Sequence, residues 1–512
     1  MDQPHPKHKL SQDARLSRRR LLGLAGGTAT GLVALSVVGC GDDDEAKPTP
    51  TAGPDTPGPS SPTPAATGSP AAGDAGWRQP AVISSANGVL ETTLVMKGES
   101  IPWGNGTRWA ITVNGTTPGP TLRIRPGDRL RIKLDNQTAH STNIHTHGLR
   151  VSPEGNADNP FIEIKGGEAF DYEIDVPDDH PSGLFWYHPH LHHHVAEQLF
   201  AGMFGAIIVE DEIDGLSEVA GATQRLVMLH DTRNTTTEAG MLAATVMDTR
   251  DGREGDLVLV NGLATPDIAA TSGKLERWRL LNASSSRFYR LKLDGHALNL
   301  IASDGGRLAA PQPVDELVLV PGERAEVLVQ PVKAGSYTLR SLPISRGPMG
   351  ASAELALATM TVTGGDASPA ALPAKLATIP DPSTMKVAST RNVTMEMQMG
   401  GGPPRFVING REFDPSRVDI NVTLGTIEDW VVRNVGPMDH PFHLHVWPFQ
   451  VMEQSRPGPL PRGWKDTVNV PAGGFVRVRL PFEQIGGKTV FHCHILDHED
   501  LGMMATIEAT GG

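Results

Sequence analysis

Cysteine, aromatic residues and basic clusters are all scarce in this chain, and each scarcity excludes a class of protein. Only two of the 512 residues are cysteine, so no disulfide framework can hold the fold together. No Lys/Arg cluster follows residue 20 and the formal net charge is −13, which argues against a nucleic-acid partner. Aromatic residues make up 5% of the chain, and long helical periodicity is absent. Abundant glycine and proline instead favour a loop-rich β protein.

The first 80 residues have the pattern of an export signal followed by a tether. Residues 17–22 form a twin-arginine pattern, and a moderately apolar run follows as far as Val38. Cys40 resembles the cysteine of a bacterial lipobox, so residues 1–40 predict a signal that leaves the exported protein lipid-anchored at Cys40. A membrane-anchoring helix is the alternative, and both place the folded body in the cell envelope. Residues 41–80, rich in Pro, Thr and Ser, predict a flexible tether.

The rest of the chain contains three copies of one sequence pattern. Asn-Gly pairs begin at Asn114, Asn261 and Asn409, which are 147 and 148 residues apart. An alternating apolar run follows each pair, and another asparagine closes it 21 to 25 residues later. Asn-Gly is a tight-turn signal and alternation is typical of strands, so this long period indicates whole β domains. We therefore predict an all-β fold of three consecutive Greek-key β-sandwich domains.

Histidines occur in four His-x-His pairs, all in the first and third copies of the repeat. Residues two apart in a strand point to the same side, about 6.6 Å from each other, so each pair presents two imidazoles together. Any single pair is more often surface decoration, but random placement of 19 histidines would give only about 0.7 pairs. Eight imidazoles converging from two domains would form a multinuclear metal site at their interface. The pairs are His145 and His147, His188 and His190, His443 and His445, and His492 and His494.

Cys493 lies between the last two of these histidines, and a lone exported thiol is a liability unless something occupies it. In a strand its side chain points away from those of its two histidine neighbours, so one strand can serve two metal sites. His498 and Met503 follow within ten residues. A thiolate, two imidazoles and a weak axial thioether are the ligands of a blue-copper electron-transfer site. The second imidazole has to come from elsewhere, and His440 is well placed.

With these four motifs in order, residues 85–512 closely resemble the three-domain multicopper oxidases, a family that includes laccases and copper-efflux oxidases. The resemblance implies cupredoxin-like domains at 81–215, 216–370 (copper-free) and 371–512, and four copper ions: one type 1, one type 2 and a type 3 pair. It assigns the type 1 copper to His440, Cys493, His498 and axial Met503, and the type 2 copper to His145 and His443. It assigns one type 3 ion to His147, His188 and His494, and the other to His190, His445 and His492.

The resemblance also implies roles for groups that move protons and electrons. Asp158 matches an acidic residue that family members place near the type 2 copper, and Glu499 matches another on the route to the cluster. Both are predicted to donate or relay protons, and ordinary polar loop residues are the alternative. Cys493 is expected to carry electrons from the type 1 copper to the other three.

Three features either depart from the family pattern or have no assigned role. Thr146 stands between the first two predicted ligands, where many relatives carry Trp. The run His192–His194 is interpreted as a non-ligand segment, either next to the predicted ligands or exposed, and metal binding is the alternative. Met395, Met397 and Met399 alternate and could recruit Cu(I), although such spacing more often marks the buried face of a strand.

The resemblance implies an oxidoreductase that takes single electrons from a reductant and uses O2 as the acceptor. The first hypothesis is laccase-like oxidation of phenols or aromatic amines. The alternative is an envelope metallo-oxidase of Cu(I) or Mn(II), although the methionine-rich insert of copper-efflux oxidases is missing. Family members that have lost copper and act as structural or division-associated proteins lack ligands that are all retained here. Copper nitrite reductases have two domains and do not have four His-x-His pairs.

Overall fold

The computed structural model describes residues 76–210, 212–348, 350–400, 404–461 and 463–511. The predicted signal, Cys40 and nearly all of the predicted tether lie outside these residues. Thirty strands in the described residues form six sheets, and the four α-helices found there have only five or six residues each. No helix in this part of the chain is long and apolar enough to span a bilayer.

The first sandwich pairs a five-stranded sheet with a four-stranded one. Its elements are β1 (Val82–Ser84), β2 (Val89–Trp103), β3 (Gly106–Val113), β4 (Thr121–Ile124), β5 (Arg129–Asn136), β6 (His145–His147), β7 (Ala169–Asp175), β8 (Gly183–His188), α1 (Val195–Phe200) and β9 (Gly205–Val209). The strand orders are β1-β4-β9-β8-β6 and β3-β2-β5-β7. In β5 the leucines and isoleucine are buried while the intervening basic residues are exposed, so alternation alone explains which face meets the core.

The second sandwich pairs a six-stranded sheet with a five-stranded one. Its elements are β10 (Thr223–Thr232), α2 (Glu238–Leu242), α3 (Val246–Asp251), β11 (Leu257–Val260), β12 (Asp267–Thr271), β13 (Glu276–Asn282), β14 (Tyr289–Leu293), β15 (Leu298–Ser303), β16 (Gly306–Val314), β17 (Leu317–Leu319), β18 (Arg324–Val329), β19 (Gly335–Leu342) and β20 (Leu355–Thr363). The strand orders are β11-β10-β13-β18-β15-β16 and β12-β20-β19-β14-β17. Trp77 is buried in this core. The tether predicted to reach residue 80 therefore ends earlier, because the indole packs with the folded body.

The third sandwich pairs two five-stranded sheets. Its elements are β21 (Ser389–Gln398), β22 (Arg405–Ile408), β23 (Ile420–Thr423), β24 (Thr426–Asn434), β25 (His440–Leu444), β26 (Gln450–Gln454), β27 (Thr467–Val470), β28 (Phe475–Phe482), β29 (Gly487–Cys493), α4 (Leu496–Asp500) and β30 (Met504–Thr510). The strand orders are β22-β21-β24-β28-β26 and β23-β30-β29-β25-β27. Two 3-10 turns, Glu212–Gly215 and Pro382–Thr384, lie in the connections between the sandwiches.

The asparagines of the sequence repeat occupy equivalent places in the three sandwiches. Asn114, Asn261 and Asn409 have φ angles of 54°, 51° and 52°, the left-handed conformation that a tight turn needs. Each side-chain oxygen accepts a hydrogen bond from a backbone N–H of a neighbouring strand, at 2.7 to 2.9 Å. The prediction of an all-β fold with three consecutive cupredoxin-like Greek-key sandwiches is confirmed.

Candidate metal centres

The paired histidines of the first sandwich lie on adjacent strands, and the same arrangement recurs in the third. In the first, β6 runs antiparallel to β8, with His145 opposite His188. In the third, β25 runs antiparallel to β29, with His443 opposite His492. The two sets meet between the sandwiches, since the rings of His145 and His445 stack with centroids 3.8 Å apart. All eight paired imidazoles are buried, at 1% exposure or less.

Buried imidazoles, one thiol and one carboxylate form compact groups in which a single metal ion could touch every member. Within each group the candidate donor atoms lie within 4.8 Å of one another. Among the described residues, the groups are His145, His147 and His443; His147, His188 and His494; His190, His445 and His492; His440, Cys493 and His498; and His145, Asp158 and His445. The structure thus brings together each triad expected for the type 3 ions and the three strong ligands expected for the type 1 copper. The two type 2 candidates share one group.

The hydrogen bonds of the two type 2 candidates leave one nitrogen of each ring free. His443 Nδ1 donates to the main-chain oxygen of Asp466 at 2.9 Å. His145 Nδ1 lies 2.9 Å from the carboxylate of Asp158. The Nε2 atoms of both rings are buried and have no hydrogen-bond partner in the described part of the chain. Unpaired buried polar atoms are costly and rare, so this pair of nitrogens fits a bound metal ion.

In a second group, formed by His190, His445 and His492, the ring nitrogens lie close together. His492 Nε2 lies 3.1 Å from His190 Nε2 and 3.3 Å from His445 Nε2. His492 Nδ1 lies 3.0 Å from the Cys493 carbonyl oxygen, which can only accept a hydrogen bond. The proton of the His492 ring therefore lies on Nδ1, and Nε2 carries a lone pair. Three converging imidazole nitrogens are a donor set that suits copper.

The Cys493 group forms a separate centre within the third sandwich. Its sulfur lies 3.5 Å from His440 Nδ1 and 3.8 Å from His498 Nδ1, and the two nitrogens are 3.3 Å apart. All three residues are fully buried. Met503 is also fully buried in the same core cluster. Its N–H donates to the His498 carbonyl at 2.8 Å, and its own carbonyl accepts from the Cys493 N–H at 3.0 Å, which ties all three together.

Burial sets the protonation of these groups. Desolvation lowers the pKa of His440 to about 3 and that of His190 to about 4. Both rings are therefore neutral at physiological pH, the form in which imidazole binds a metal. Burial raises the pKa of Cys493, so an adjacent cation would be needed to hold the thiolate.

Both predicted proton-transfer acids contact the histidine groups. Asp158 is buried; it faces His145 Nδ1 and also accepts a hydrogen bond from the Thr146 N–H at 2.8 Å. One oxygen of Glu499 lies 3.0 Å from His492 Nδ1, and the other lies 3.5 Å from His190 Nε2. Burial raises the pKa of each acid to about 7, so each can exchange a proton near neutral pH.

The two runs without an assigned role take up different positions. None of His192, His193 and His194 belongs to a potential metal group among the described residues. His193 Nδ1 lies 2.9 Å from the Asp500 carbonyl oxygen, and His194 Nδ1 lies 2.8 Å from Glu197. The methionine run passes from the core towards the surface, because Met395 is fully buried, Met397 is intermediate and Met399 is 64% exposed.

A cavity of about 340 Å³ lies beside the Cys493 centre. One of its lining residues, Arg250, has its main-chain oxygen 3.1 Å from His498 Nε2. Proline, glycine and methionine make up most of the lining, which also has two arginines and one aspartate. The lining residues are Arg250, Asp251, Arg346, Gly347, Pro348, Met397, Met399, Pro437 and Met438. The Arg250 guanidinium pairs with Asp251 at 2.6 Å, which reduces the net charge.

Sequence reasoning missed Asp466, Arg324 and Gly322, which also contact the histidine groups. The Asp466 carboxylate lies 3.1 Å from His147 Nε2 and is bound by Arg324. A Cβ on Gly322 would lie 2.8 Å from His494 Nε2. The only signal in the sequence is a Lys-Asp pair directly before an apolar strand, which by itself specifies no partner.

Comparison with known proteins places this geometry in a family. Three family models, each described as multicopper oxidase, match residues 95–214, 225–364 and 381–511. A multicopper oxidase of Staphylococcus haemolyticus is 32% identical over 434 residues, covering 83% of this chain and 89% of the relative. The cell division protein FtsP of Edwardsiella tarda is 32% identical over 374 residues, covering 70% of this chain and 76% of the relative.

Among solved structures, a multicopper oxidase from Campylobacter jejuni, described as a metallo-oxidase, has a TM-score of 0.73 and 29% identity. The alignment covers 83% of this chain and 92% of that one. The fold, the buried histidine groups and these matches agree. The chain belongs to the multicopper oxidase family and is an oxidoreductase of the kind that uses copper, O2 and a reductant.

Proposed function

We propose that this protein oxidises phenols or aromatic amines one electron at a time and reduces O2 to water with four copper ions. The observation that carries the proposal is the pair of buried donor sets, one around Cys493 and one between the first and third sandwiches. In this proposal the type 1 copper is held by His440, Cys493, His498 and Met503, and the type 2 copper by His145 and His443. One type 3 ion is held by His147, His188 and His494, and the other by His190, His445 and His492.

When bound, the coppers supply storage for four electrons, so that O2 can be reduced fully to water. Cys493 supports the connection between the two centres, because its neighbours His492 and His494 fall in different groups from its own sulfur. The chain of covalent bonds from the Cys493 sulfur to either imidazole crosses a single peptide unit. We propose this stretch of β29 as the electron path.

Asp158 and Glu499 are proposed to supply the protons that O2 reduction consumes. Their carboxyl groups contact different histidines of the assembly, Asp158 at His145 and Glu499 at His492 and His190. A pKa of about 7 lets each acid give up and regain a proton near neutral pH.

The cavity beside His498 supports an aromatic reductant. Its largely apolar lining suits a ring, and methionine sulfur contacts aromatic rings favourably. Arg250 lines this cavity and its main-chain oxygen lies 3.1 Å from His498 Nε2, so a ring bound there would be separated from the proposed electron acceptor by one residue. Both arginines of the lining are paired with carboxylates, Arg250 with Asp251 at 2.6 Å and Arg346 with Glu254 at 2.7 Å, so little net charge opposes a neutral ring.

The alternative, oxidation of Cu(I) or Mn(II), draws support from a different feature of the same cavity. Met397, Met399 and Met438 all line it, and thioethers are ligands that Cu(I) prefers. A solved relative described as a metallo-oxidase agrees with this alternative.

The test is oxygen uptake by the copper-loaded protein, with a methoxyphenol as reductant and peroxide assayed in parallel. We expect one O2 per four electrons, with no peroxide. A Cys493→Ser variant is the control, since it should keep the trinuclear donors but lose phenol turnover. Full copper loading without phenol-dependent uptake would contradict the phenol proposal, and uptake with Cu(I) or Mn(II) would then favour the metallo-oxidase.

Two further proposals concern the domain limits and the export of the chain. We propose domain limits at 81–215, 216–370 and 371–512, supported by the strand ranges of the three sandwiches, with Trp77 joining the second core. Export to the cell envelope and lipidation at Cys40 are proposed from the twin-arginine and lipobox patterns alone.

A further inference from the structure

One buried network of charges connects all three sandwiches beside the histidine groups. Arg324 begins β18 of the second sandwich, Asp466 precedes β27 of the third, and His147 ends β6 of the first. The guanidinium of Arg324 donates to both carboxylate oxygens of Asp466, at 2.7 and 2.6 Å. One of these oxygens also lies 3.1 Å from His147 Nε2. All three side chains are at most 5% exposed, so the contacts form out of water.

The contact with Asp466 determines which nitrogen of His147 is available to a metal. A carboxylate paired with a guanidinium only accepts hydrogen bonds, so the proton of the neutral ring lies on Nε2. The Thr467 hydroxyl is farther from Nε2, at 3.4 Å, and it donates its own proton to Asp466 at 2.9 Å. His147 Nδ1 therefore carries the lone pair, and it lies 3.4 Å from His188 Nε2.

The same residue orients a second histidine through its main chain. His443 Nδ1 donates to the Asp466 carbonyl at 2.9 Å, which leaves His443 Nε2 without a partner. The rings of His443 and His147 stack with centroids 3.8 Å apart and planes 12° apart. Asp466 thus holds two stacked rings from different sandwiches. Nδ1 is left to bind a metal in His147, and Nε2 is left in His443.

We propose that Asp466, anchored by Arg324, is the positioning residue that makes His147 bind its copper through Nδ1. The inference rests on the proposed function, because it takes His147 to be a type 3 ligand. A carboxylate behind a metal-binding histidine fixes the tautomer and orientation of the ring, and its loss typically lowers metal affinity or activity by about 10–100-fold.

Arg324 gives the second sandwich, which contributes no histidine to the groups, a part in building the site. Besides Asp466, its guanidinium donates to the Leu184 carbonyl of the first sandwich at 3.1 Å and to the Asp304 carbonyl at 2.9 Å. The guanidinium thereby holds the Asp466 carboxylate against His147 from the side of the second sandwich.

The test is an Asp466→Asn substitution in the full copper-loaded protein. Asparagine keeps the shape of the side chain but loses its charge and presents amide protons to His147. We expect the trinuclear site to bind copper about 10–100-fold more weakly. The near-ultraviolet absorption of the type 3 pair should fall, and more of the remaining copper should become visible to electron paramagnetic resonance. The blue absorption of the type 1 site should persist, because its residues do not hydrogen bond with Asp466.

Two further variants separate positioning from general destabilisation. Arg324→Lys keeps the positive charge without the two-pronged contact, and a smaller loss of the same type 3 absorption is expected. Glu326→Gln is the matched control: Glu326 is buried in the same strand as Arg324 and accepts from Arg277 at 2.9 and 2.6 Å, and among the described residues it bonds to no histidine. This variant should lose stability and keep its type 3 absorption.

Each outcome decides between the alternatives. Wild-type copper content and type 3 absorption in Asp466→Asn would overturn the proposal. A loss of type 3 absorption in Glu326→Gln as large as that in Asp466→Asn would also overturn it. If Asp466→Asn does not fold, Arg324→Lys decides, and unchanged type 3 absorption there overturns it. If the wild-type protein itself lacks both the blue and the type 3 absorption after copper loading, the proposed function fails instead.

Discussion

At the scale of single residues, the main chain distinguishes the two nitrogens of several buried imidazoles. His188 Nδ1 lies 2.8 Å from the Pro189 carbonyl oxygen, and His492 Nδ1 lies 3.0 Å from the Cys493 carbonyl oxygen. A carbonyl oxygen can only accept a hydrogen bond, so the proton of each ring lies on Nδ1. Nε2 then carries the lone pair that can bind a metal. The rings are held in the required tautomer by the backbone itself, before any metal is bound.

Met503 provides the first prediction at this scale. Replacing it with Leu removes the proposed axial thioether while keeping an apolar side chain of similar volume, so the fold should lose less than about 1.5 kcal/mol. Loss of this weak electron donor should raise the type 1 reduction potential. We expect a rise of about 59 mV or more, because 59 mV corresponds to a tenfold change in a one-electron equilibrium. A redox titration of the blue absorption measures the shift.

The neighbouring methionine supplies the control for that titration. Met504 is also buried, at 2% exposure, and it pairs with His492 in the sheet. A Met504→Leu substitution makes the same chemical change one residue farther on, at the first residue of β30. It should leave the potential unaltered. An unchanged or lowered potential in Met503→Leu would remove Met503 from the site.

The sequence identifies those site residues whose geometry is local. In each His-x-His pair the strand period alone puts both rings on one face, and the position of Cys493 between two such residues separates it from them. Asp466 and Arg324 could not be found this way. They are 142 residues apart in different sandwiches, and only the packing of the whole molecule brings their side chains to within 2.6 Å.

At the scale of secondary-structure elements, the turn that precedes β18 is packed directly against the histidine groups. Gly322 in this turn has a φ of +85°, and a Cβ there would lie 2.8 Å from His494 Nε2 and 3.1 Å from His147 Cε1. Only glycine allows both this backbone conformation and this approach. The turn thereby closes the site on the side of the second sandwich.

Gly322→Ala should therefore displace His494 or His147 and reduce type 3 copper, while the type 1 site keeps its blue absorption. Copper content per protein and near-ultraviolet absorption measure the effect. Gly425→Ala is the matched control, because Gly425 has a similar φ of +79° but nothing within 4 Å of its Cβ position. Both substitutions should lower the free energy of unfolding by about 1–2 kcal/mol, because alanine is disfavoured in the left-handed conformation. Equal type 3 absorption in the two would show that the close approach is unimportant.

Elements also show where prediction from the sequence ends. Alternation correctly indicated strands such as β5 and β24, whose apolar side chains face the cores. The short helix α3 has no such periodicity, and its role depends on a main-chain atom. The Arg250 carbonyl oxygen lies 3.1 Å from His498 Nε2, a contact that does not depend on the identity of the side chain. No sequence pattern could have indicated it.

At the scale of the whole molecule, the histidine groups lie between sandwiches and not within one core. The group of His190, His445 and His492 takes one ring from the first sandwich and two from the third, and the second sandwich contacts both neighbours through Arg324. Arg253 makes another such contact, donating to Asp497 of α4 at 2.8 Å beside His498. The molecule is therefore joined by buried polar contacts that converge on the sites.

Because the proposed ligands of the trinuclear site come from two sandwiches, removing copper should loosen the first and third sandwiches together. Binding at a copper concentration 1,000-fold above Kd stabilises the folded state by about 4.1 kcal/mol, which corresponds to a Tm shift of roughly 10 °C for domains of this size. Differential scanning calorimetry before and after chelation measures it. Cys493→Ser is the control, since it should lower the stability of the third sandwich alone. A chelation effect confined to the third sandwich would contradict a copper site shared with the first.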